Sequence, residues 1–260
     1  MSGESAPAPK SVLARGLSLL DAFTPGEPEL SLGELAARSG LPKPTAHRLL
    51  GELVDWGALE RTGHGGYRLA AKLFRLGQMV PRYRMLREAA LPFLEGLQRS
   101  SRENVHLAVP DDVCTLFVEK LSGSESMVIR SRVGGRMPAH CTATGKVFLA
   151  WGGRDRFRRA VDAGLARLTP RTIVLPGLLH KDLERTRERG LGINLEEAEP
   201  GVTAVAAPVL GAHGEVVAAL SITGHTRRLD LDRCGTAVQA AAGALSAALR
   251  RDTPPRPRAG

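Results

Sequence analysis

In "GLPKPTAHRLL", which runs from Gly40 to Leu50, and the residues just after it, Ala46, Leu49, Leu50 and Leu53 fall at i, i+3, i+4 and i+7. That spacing lays one apolar face along a helix opening at Pro44. Proline is tolerated there because the first helical N–H has no intrahelical partner, and Lys43 falls at or beside the cap. The opposite face carries Pro44, His47, Arg48, Gly51 and Asp55, with Thr45 on its shoulder. Just upstream, "SLGELAARSG" sets Ser31 three residues before Glu34, the pattern of a capping box. Leu32, Leu35 and Ala36 supply an inner face, and Gly40 suits a left-handed helix end. Two short helices joined by "SGLPK" make a helix-turn-helix, whose second helix normally lies in the DNA major groove. An ordinary αα-hairpin with a polar outer face fits the same residues.

The next segment decides between them. "GALERTGHGGYRL" predicts a strand over Ala58 to Arg61, a glycine-rich turn and a returning strand over Tyr67 to Leu69. Gly63, Gly65 and Gly66 are expected to supply the positive φ of the turn. A hairpin directly after a recognition helix is the wing of a winged helix, with its tip against the sugar–phosphate backbone. The expected DNA-contacting set is therefore Lys43, Pro44, Thr45, His47, Arg48, Arg61, His64 and Arg68, with Arg48 the best candidate for a base contact.

Charge supports that placement. Residues 1–37 carry two basic and five acidic side chains, a net of −3; residues 38–87 carry ten against three, a net of +7; the rest supplies +5 of the total +9. The densest excess falls on the reading helix, the wing and the segment just beyond the wing, where it would attract phosphate. Thirty Arg against six Lys also looks like the codon bias of a GC-rich genome. Cys114, Cys141 and Cys234 form no Cys-x-x-Cys pair, which points to a reducing compartment and away from a disulfide framework. No hydrophobic signal core or membrane-length apolar run is present, so the expectation is a cytoplasmic protein without membrane contact.

Beyond the hairpin, a linker helix is expected over 72–90, with Pro81 and Pro92 starting or kinking segments. Strands then dominate: "VHLAV", "VCTLFVEK" and "SMVIRSR" predict an antiparallel meander, and "TAVAAPVL" with "EVVAALSIT" a hairpin around Gly211 to Gly214. Helices are expected near 145–150, 154–163, 181–189 and 230–249. The order suggests an α+β domain and not a regular βαβ array.

Several separated motifs now carry a resemblance. "MPAHCTATGKVFLA", "LTPRTI", "LERTRERGLGINLEEAEPGVTAVAAPVL" and "GEVVAALSITG" resemble the effector-binding domain of the IclR family of bacterial transcription regulators. The segment from "LSLGELAARSG" to "YRLAAKLFRLG" is similar to that family's winged helix, and the likeness runs from Val12 to about Leu249. It implies a homodimer or homotetramer on double-stranded operator DNA and a GAF-like sensory domain for a small-molecule effector, with no cofactor. The sensory domain is expected over 91–250 and the winged helix-turn-helix over 11–71, with disordered tails at 1–10 and 251–260.

The effector pocket is expected from residues and resemblance together. "CTATGK" leads into a helix near Gly145, where N–H groups at the helix start and the hydroxyls of Thr142 and Thr144 can hold a carboxylate. The expected lining from this turn is Thr142, Ala143, Thr144 and Gly145. The family's ligand-contacting positions map onto Asn194, Ala204, Ser221 and Thr223. Where some relatives have acidic, sulfhydryl or aliphatic side chains, this chain has Asn194, Ala204 and Thr144, which leaves the effector's identity open. Small residues there would also allow close helix-on-sheet packing.

An enzyme is the alternative. "ATGK" resembles the end of a phosphate-binding loop, but His140 stands where glycine is needed and Val147 where Ser or Thr is needed. No G-x-S-x-G elbow occurs, and His140 beside Cys141 lacks the further ligands of a metal site. A sensor without DNA binding is a third possibility, opposed by the intact outer face at His47 and Arg48.

Overall fold

The computed structural model describes residues 11–24 and 26–251; the expected tails over 1–10 and 252–260 lie outside them. Arg251 still belongs to the last helix. The chain divides into two compact units, the division falling after Arg84.

In the first unit, helices α1 (Val12–Asp21), α2 (Leu32–Ser39) and α3 (Lys43–Trp56) precede strands β1 (Leu59–Arg61) and β2 (Tyr67–Leu69) and helix α4 (Ala71–Gln78). The Ser31 Oγ accepts the Glu34 N–H at 3.2 Å, and the Glu34 carboxylate accepts the Ser31 N–H at 2.8 Å, closing the capping box. Gly40 ends α2 at φ +67°, so the chain can reverse before α3. The N-cap of α3 is Pro42, with Lys43 its first residue and Pro44 its second, one position earlier than the sequence suggests. Leu19, Leu35, Ala46, Leu50, Leu59 and Tyr67 meet in one core. The hairpin pairs Glu60 with Arg68, and Leu30 adds a single antiparallel bridge to Tyr67. Of the three turn glycines, only Gly65 has positive φ (+78°). Gly63 and Gly66 do not need it, because the Thr62 Oγ1 accepts the Gly66 N–H and the Thr62 carbonyl accepts from Gly65, which closes the turn.

The expected single linker helix over 72–90 is instead two helices. They part at Met79 and Val80, and α5 (Pro81–Ser101) carries Pro92 within it.

The second unit holds a six-stranded sheet in the order β5-β4-β3-β8-β7-β6, with every neighbouring pair antiparallel. Its strands are β3 (Asn104–Asp111), β4 (Cys114–Leu121), β5 (Arg136–Pro138), β6 (Gly192–Leu195), β7 (Val202–Leu210) and β8 (Val216–His225). Helices α6 (Ala143–Trp151), α7 (Gly153–Asp162), α8 (Pro176–Arg189) and α9 (Leu231–Arg251) complete it. Alternation along β7 sends Ala204 and Ala206 towards α6, while Val205 meets Gly235 of α9. Two helices thus cover a sheet of small residues.

One expected strand is absent. "SMVIRSR" runs without ladder bonds, and β5 takes the third place in the meander. Side chains hold this segment instead: Asn104 donates to the Met127 carbonyl at 3.0 Å and Lys120 to the Ser131 carbonyl at 2.8 Å.

Candidate functional site

The start of α6 organises the second unit. Thr142 is its N-cap, and its Oγ1 accepts the Gly145 N–H at 3.2 Å while donating to the Pro138 carbonyl. Gly145 is fixed by proximity, since a Cβ there would overlap the backbone of Ala139. With Gly145 spent on the cap, Ala143 and Thr144 present the remaining first-turn N–H groups. Both residues line a cavity holding ≈ 410 Å³ of empty space, its open mouth included.

Seven of the eight sequence-expected pocket residues meet there: Thr142, Ala143, Thr144, Asn194, Ala204, Ser221 and Thr223. Gly145 does not reach the cavity. The sheet register brings the rest together across strands, pairing Asn194 with Ala204, Ala204 with Thr223, and His106 with Ser221. The Asn194 Oδ1 accepts the Glu197 N–H at 2.7 Å, which leaves its NH₂ for the cavity.

His106, Phe117, Ile129, Ser131, Met137 and Glu199 also line the space, and sequence reading missed them. His106 had a signal, as a polar residue in the apolar strand "VHLAV"; Ile129 and Ser131 had none, because their segment reads as a strand. His106 is fully enclosed, and burial, helped by the Lys120 ammonium, holds its imidazole down to about 3 from 6.5. It is therefore neutral at physiological pH, with Nε2 2.8 Å from the Ser131 Oγ and Nδ1 3.4 Å from the Ser221 Oγ.

Beneath this wall lies a buried ionic cluster that sequence reading also missed. Lys146, one turn into α6, places its Nζ 2.5 Å from the Glu197 carboxylate and 2.7 Å from that of Asp182 on α8. Burial pushes the Glu197 carboxyl above its usual range, partly offset by Lys146. The cluster clamps the Asn194–Glu199 turn to the helix whose start lines the cavity.

The other candidate residues lie in the first unit. Lys43, Pro44, His47 and Arg48 are exposed on α3 and Thr45 is half-buried; Arg61, His64 and Arg68 are exposed on the hairpin. Arg48 pairs with Glu52 at 2.6 Å, both side chains more than half exposed, and Arg68 pairs with Glu60 across the hairpin. Arg61 stacks its guanidinium 5.1 Å from the Tyr67 ring centre. Exposed pairs of this kind are worth about 0–1 kcal/mol, so phosphate or a base edge can displace them.

The remaining motifs close without a site. His140 Nε2 bonds the Ala166 carbonyl, burial raises the Cys141 thiol to about 12, and the three cysteines are free. Among the described residues no group of three or more His, Cys, Asp or Glu could hold a metal, and no helix is long and apolar enough to cross a membrane.

Comparison with known proteins matches both units. Residues 80–247 fit the model of the bacterial transcriptional regulator IclR C-terminal domain, and residues 12–63 that of the IclR helix-turn-helix domain. The chain belongs to the IclR family. Its members are DNA-binding transcriptional regulators with an effector-binding C-terminal domain. It is 35% identical over 218 residues to the HTH-type transcriptional regulator XynR of Escherichia coli, covering 83% of this chain and 86% of that protein. It is 33% identical over 235 residues to the transcriptional repressor IclR of the same organism, covering 88% and 86%. The crystal structure of an IclR homologue from Microbacterium hydrocarbonoxydans, complexed with 4-hydroxybenzoate, superposes with a TM-score of 0.85 at 30% identity, over 93% of this chain and all of that one. This IclR-family chain therefore combines a DNA-reading fold with a cavity in its effector-binding domain.

Proposed function

We propose that this regulator binds a pseudo-palindromic operator as a homodimer or homotetramer in the cytoplasm, and that a small organic acid in the α6 cavity controls its grip. The observation that carries the reading is the meeting of Thr142, Ala143, Thr144, Asn194, Ala204, Ser221 and Thr223, from four separated segments, around one space. The start of α6 offers unbonded N–H groups and the positive end of a helix dipole, suited to one carboxylate. The relative that binds 4-hydroxybenzoate supports an acid of that size.

At the operator, α3 enters the major groove, and Arg48 contacts a guanine edge. Pro44 and His47 lie along the groove, while Lys43, Thr45, Arg61, His64 and Arg68 hold phosphates. Exposed apolar side chains on α1 (Val12, Leu13 and Leu17) and α4 (Phe74) support self-association through the first unit. The reading head spans 11–71 and the sensory domain 91–250, and the chain acts as a regulator and not as an enzyme. A ligand shifts DNA affinity only if it binds one arrangement of the protein more tightly than another.

Fluorescence anisotropy with the DNA upstream of its own gene tests this reading. Selective binding over a scrambled duplex, shifted by small monocarboxylic acids, is the expected result. Equal binding to both duplexes at moderate salt would overturn it.

A further inference from the structure

The effector cavity has two chemically different polar walls. At the start of α6, the Ala143 and Thr144 N–H groups suit an anion. On the sheet, the polar group is His106, flanked by Ser131 on one ring nitrogen and Ser221 on the other. We propose that His106 determines effector specificity, and that the effector carries, besides one carboxylate, an uncharged hydroxyl or carbonyl read by His106, Ser131 and Ser221. This rests on the assignment of the cavity as the effector site.

The lining disfavours a second anion at this wall. Among the described residues lining the cavity there is no cationic side chain, and Glu199 adds a negative one. The Lys120 ammonium bonds the Ser131 carbonyl behind the wall; its charge reaches His106 and partly offsets Glu199, but it does not line the cavity and offers a bound anion no direct partner. A dicarboxylate would bury its second charge beside Glu199 and a neutral ring, which is costly without a partner.

Hydrogen bonding explains how a neutral group is read. A neutral imidazole has one donor and one acceptor nitrogen. If Nε2–H donates to Ser131, Nδ1 accepts the Ser221 hydroxyl, and Ser221 can then only accept from the effector. If Nδ1–H donates to the Ser221 Oγ, the Ser221 hydroxyl proton is free to donate to an effector oxygen, and Ser131 donates to Nε2. The effector's donor or acceptor character thus selects the tautomer. Ser131 lies in the irregular segment before β5, whose neighbouring Arg130 N–H is accepted by Glu199 at 3.2 Å, so the same ring ties the sheet to that segment.

The test uses full-length protein, isothermal titration and three probes: benzoate, 4-hydroxybenzoate and the dianion terephthalate. Wild type is expected to prefer 4-hydroxybenzoate over benzoate by at least about tenfold, since a site built to bond a hydroxyl rejects its absence, and to bind terephthalate most weakly. His106→Phe should reduce the hydroxyl preference to about twofold or less. Should the larger ring disturb packing beside Phe117, His106→Gln, which still donates and accepts, should retain most of the preference, and Ser131→Ala should lower it. Long-range ¹⁵N NMR should show a neutral His106 whose tautomer population changes with 4-hydroxybenzoate but not with benzoate. An unchanged preference in His106→Phe and Ser131→Ala, or an imidazolium signal at pH 7, would overturn the role of His106 while leaving the cavity assignment intact. Terephthalate as the tightest binder would overturn the charge argument. Failure of all three acids to bind wild type would overturn the cavity's assignment to this class of acid, and the proposal with it.

Discussion

The two units hold their polar side chains in opposite ways. In the first, the functional candidates stand in water: Arg48 and Glu52 pair at 2.6 Å with more than half of each side chain exposed. In the second they are enclosed: Lys146 is 1% exposed between two carboxylates, and His106 is 1% exposed between two serines. Water screens the first set, so those residues contribute little to stability and can exchange partners at little cost. The second set has no such screening, and each member depends on the partners the fold gives it. A reading surface can therefore change at little cost to folding, whereas the sensory cavity and the stability of its unit are coupled.

Four measurements would break or sharpen that contrast. The largest effect is expected from Lys146→Met, which takes the bonded cation from buried Glu197, leaves Asp182 to Arg189 at 3.9 Å, and should cost about 3–5 kcal/mol in urea unfolding. A loss below about 1 kcal/mol would remove the enclosed cluster from the comparison. Next is the pH dependence of stability. His106 has a folded value of about 3 against an ordinary 6.5, so in acid the unfolded chain takes up a proton that the native chain refuses. Its contribution is present above 6.5 and is lost as pH falls towards 3, on the order of a few kcal/mol. His106→Gln should flatten that slope, and an unchanged slope would show that the ring is not neutral and enclosed. Third, Arg48→Ala should weaken specific operator binding by about 1–3 kcal/mol while moving the unfolding midpoint little. A large stability loss with intact binding would reverse the comparison. The smallest is Ser31→Ala, which removes one half of the capping box and should cost about 1 kcal/mol, read by thermal unfolding.

The same contrast governs what the sequence discloses. The first unit is short-range: the capping box, the i, i+3, i+4 stripe and the hairpin each lie within a few residues, so local pattern suffices. Even there the N-cap falls on Pro42, because two prolines bracket Lys43 and either can open the helix. In the second unit the pocket is non-local. Thr142 to Thr144 and Asn194 can be placed by motif resemblance, but His106 joins Ser221 only through the pairing of β3 with β8, 115 residues apart in the chain. The segment "SMVIRSR" has β-branched residues yet forms no strand; its Met127 and Ser131 carbonyls accept from the side chains of Asn104 and Lys120 and not from a neighbouring strand. Lys146 reads as one more polar residue of a helix until α8 and the Glu197 turn enclose it. Gly145 reads as a pocket residue by its place at the helix start; its N–H is taken by Thr142, a bond that depends on the cap geometry.

The central claim, that occupancy of the enclosed cavity governs the exposed reading surface, has a direct thermodynamic test. The affinity of an effector acid is measured for the free protein and for the protein saturated with its operator. Reciprocity requires the two values to differ by the factor through which the acid changes DNA affinity, typically about 5–150-fold. Such a matched pair of factors is the predicted result. An acid that fills the cavity with identical affinity in both states would contradict the account.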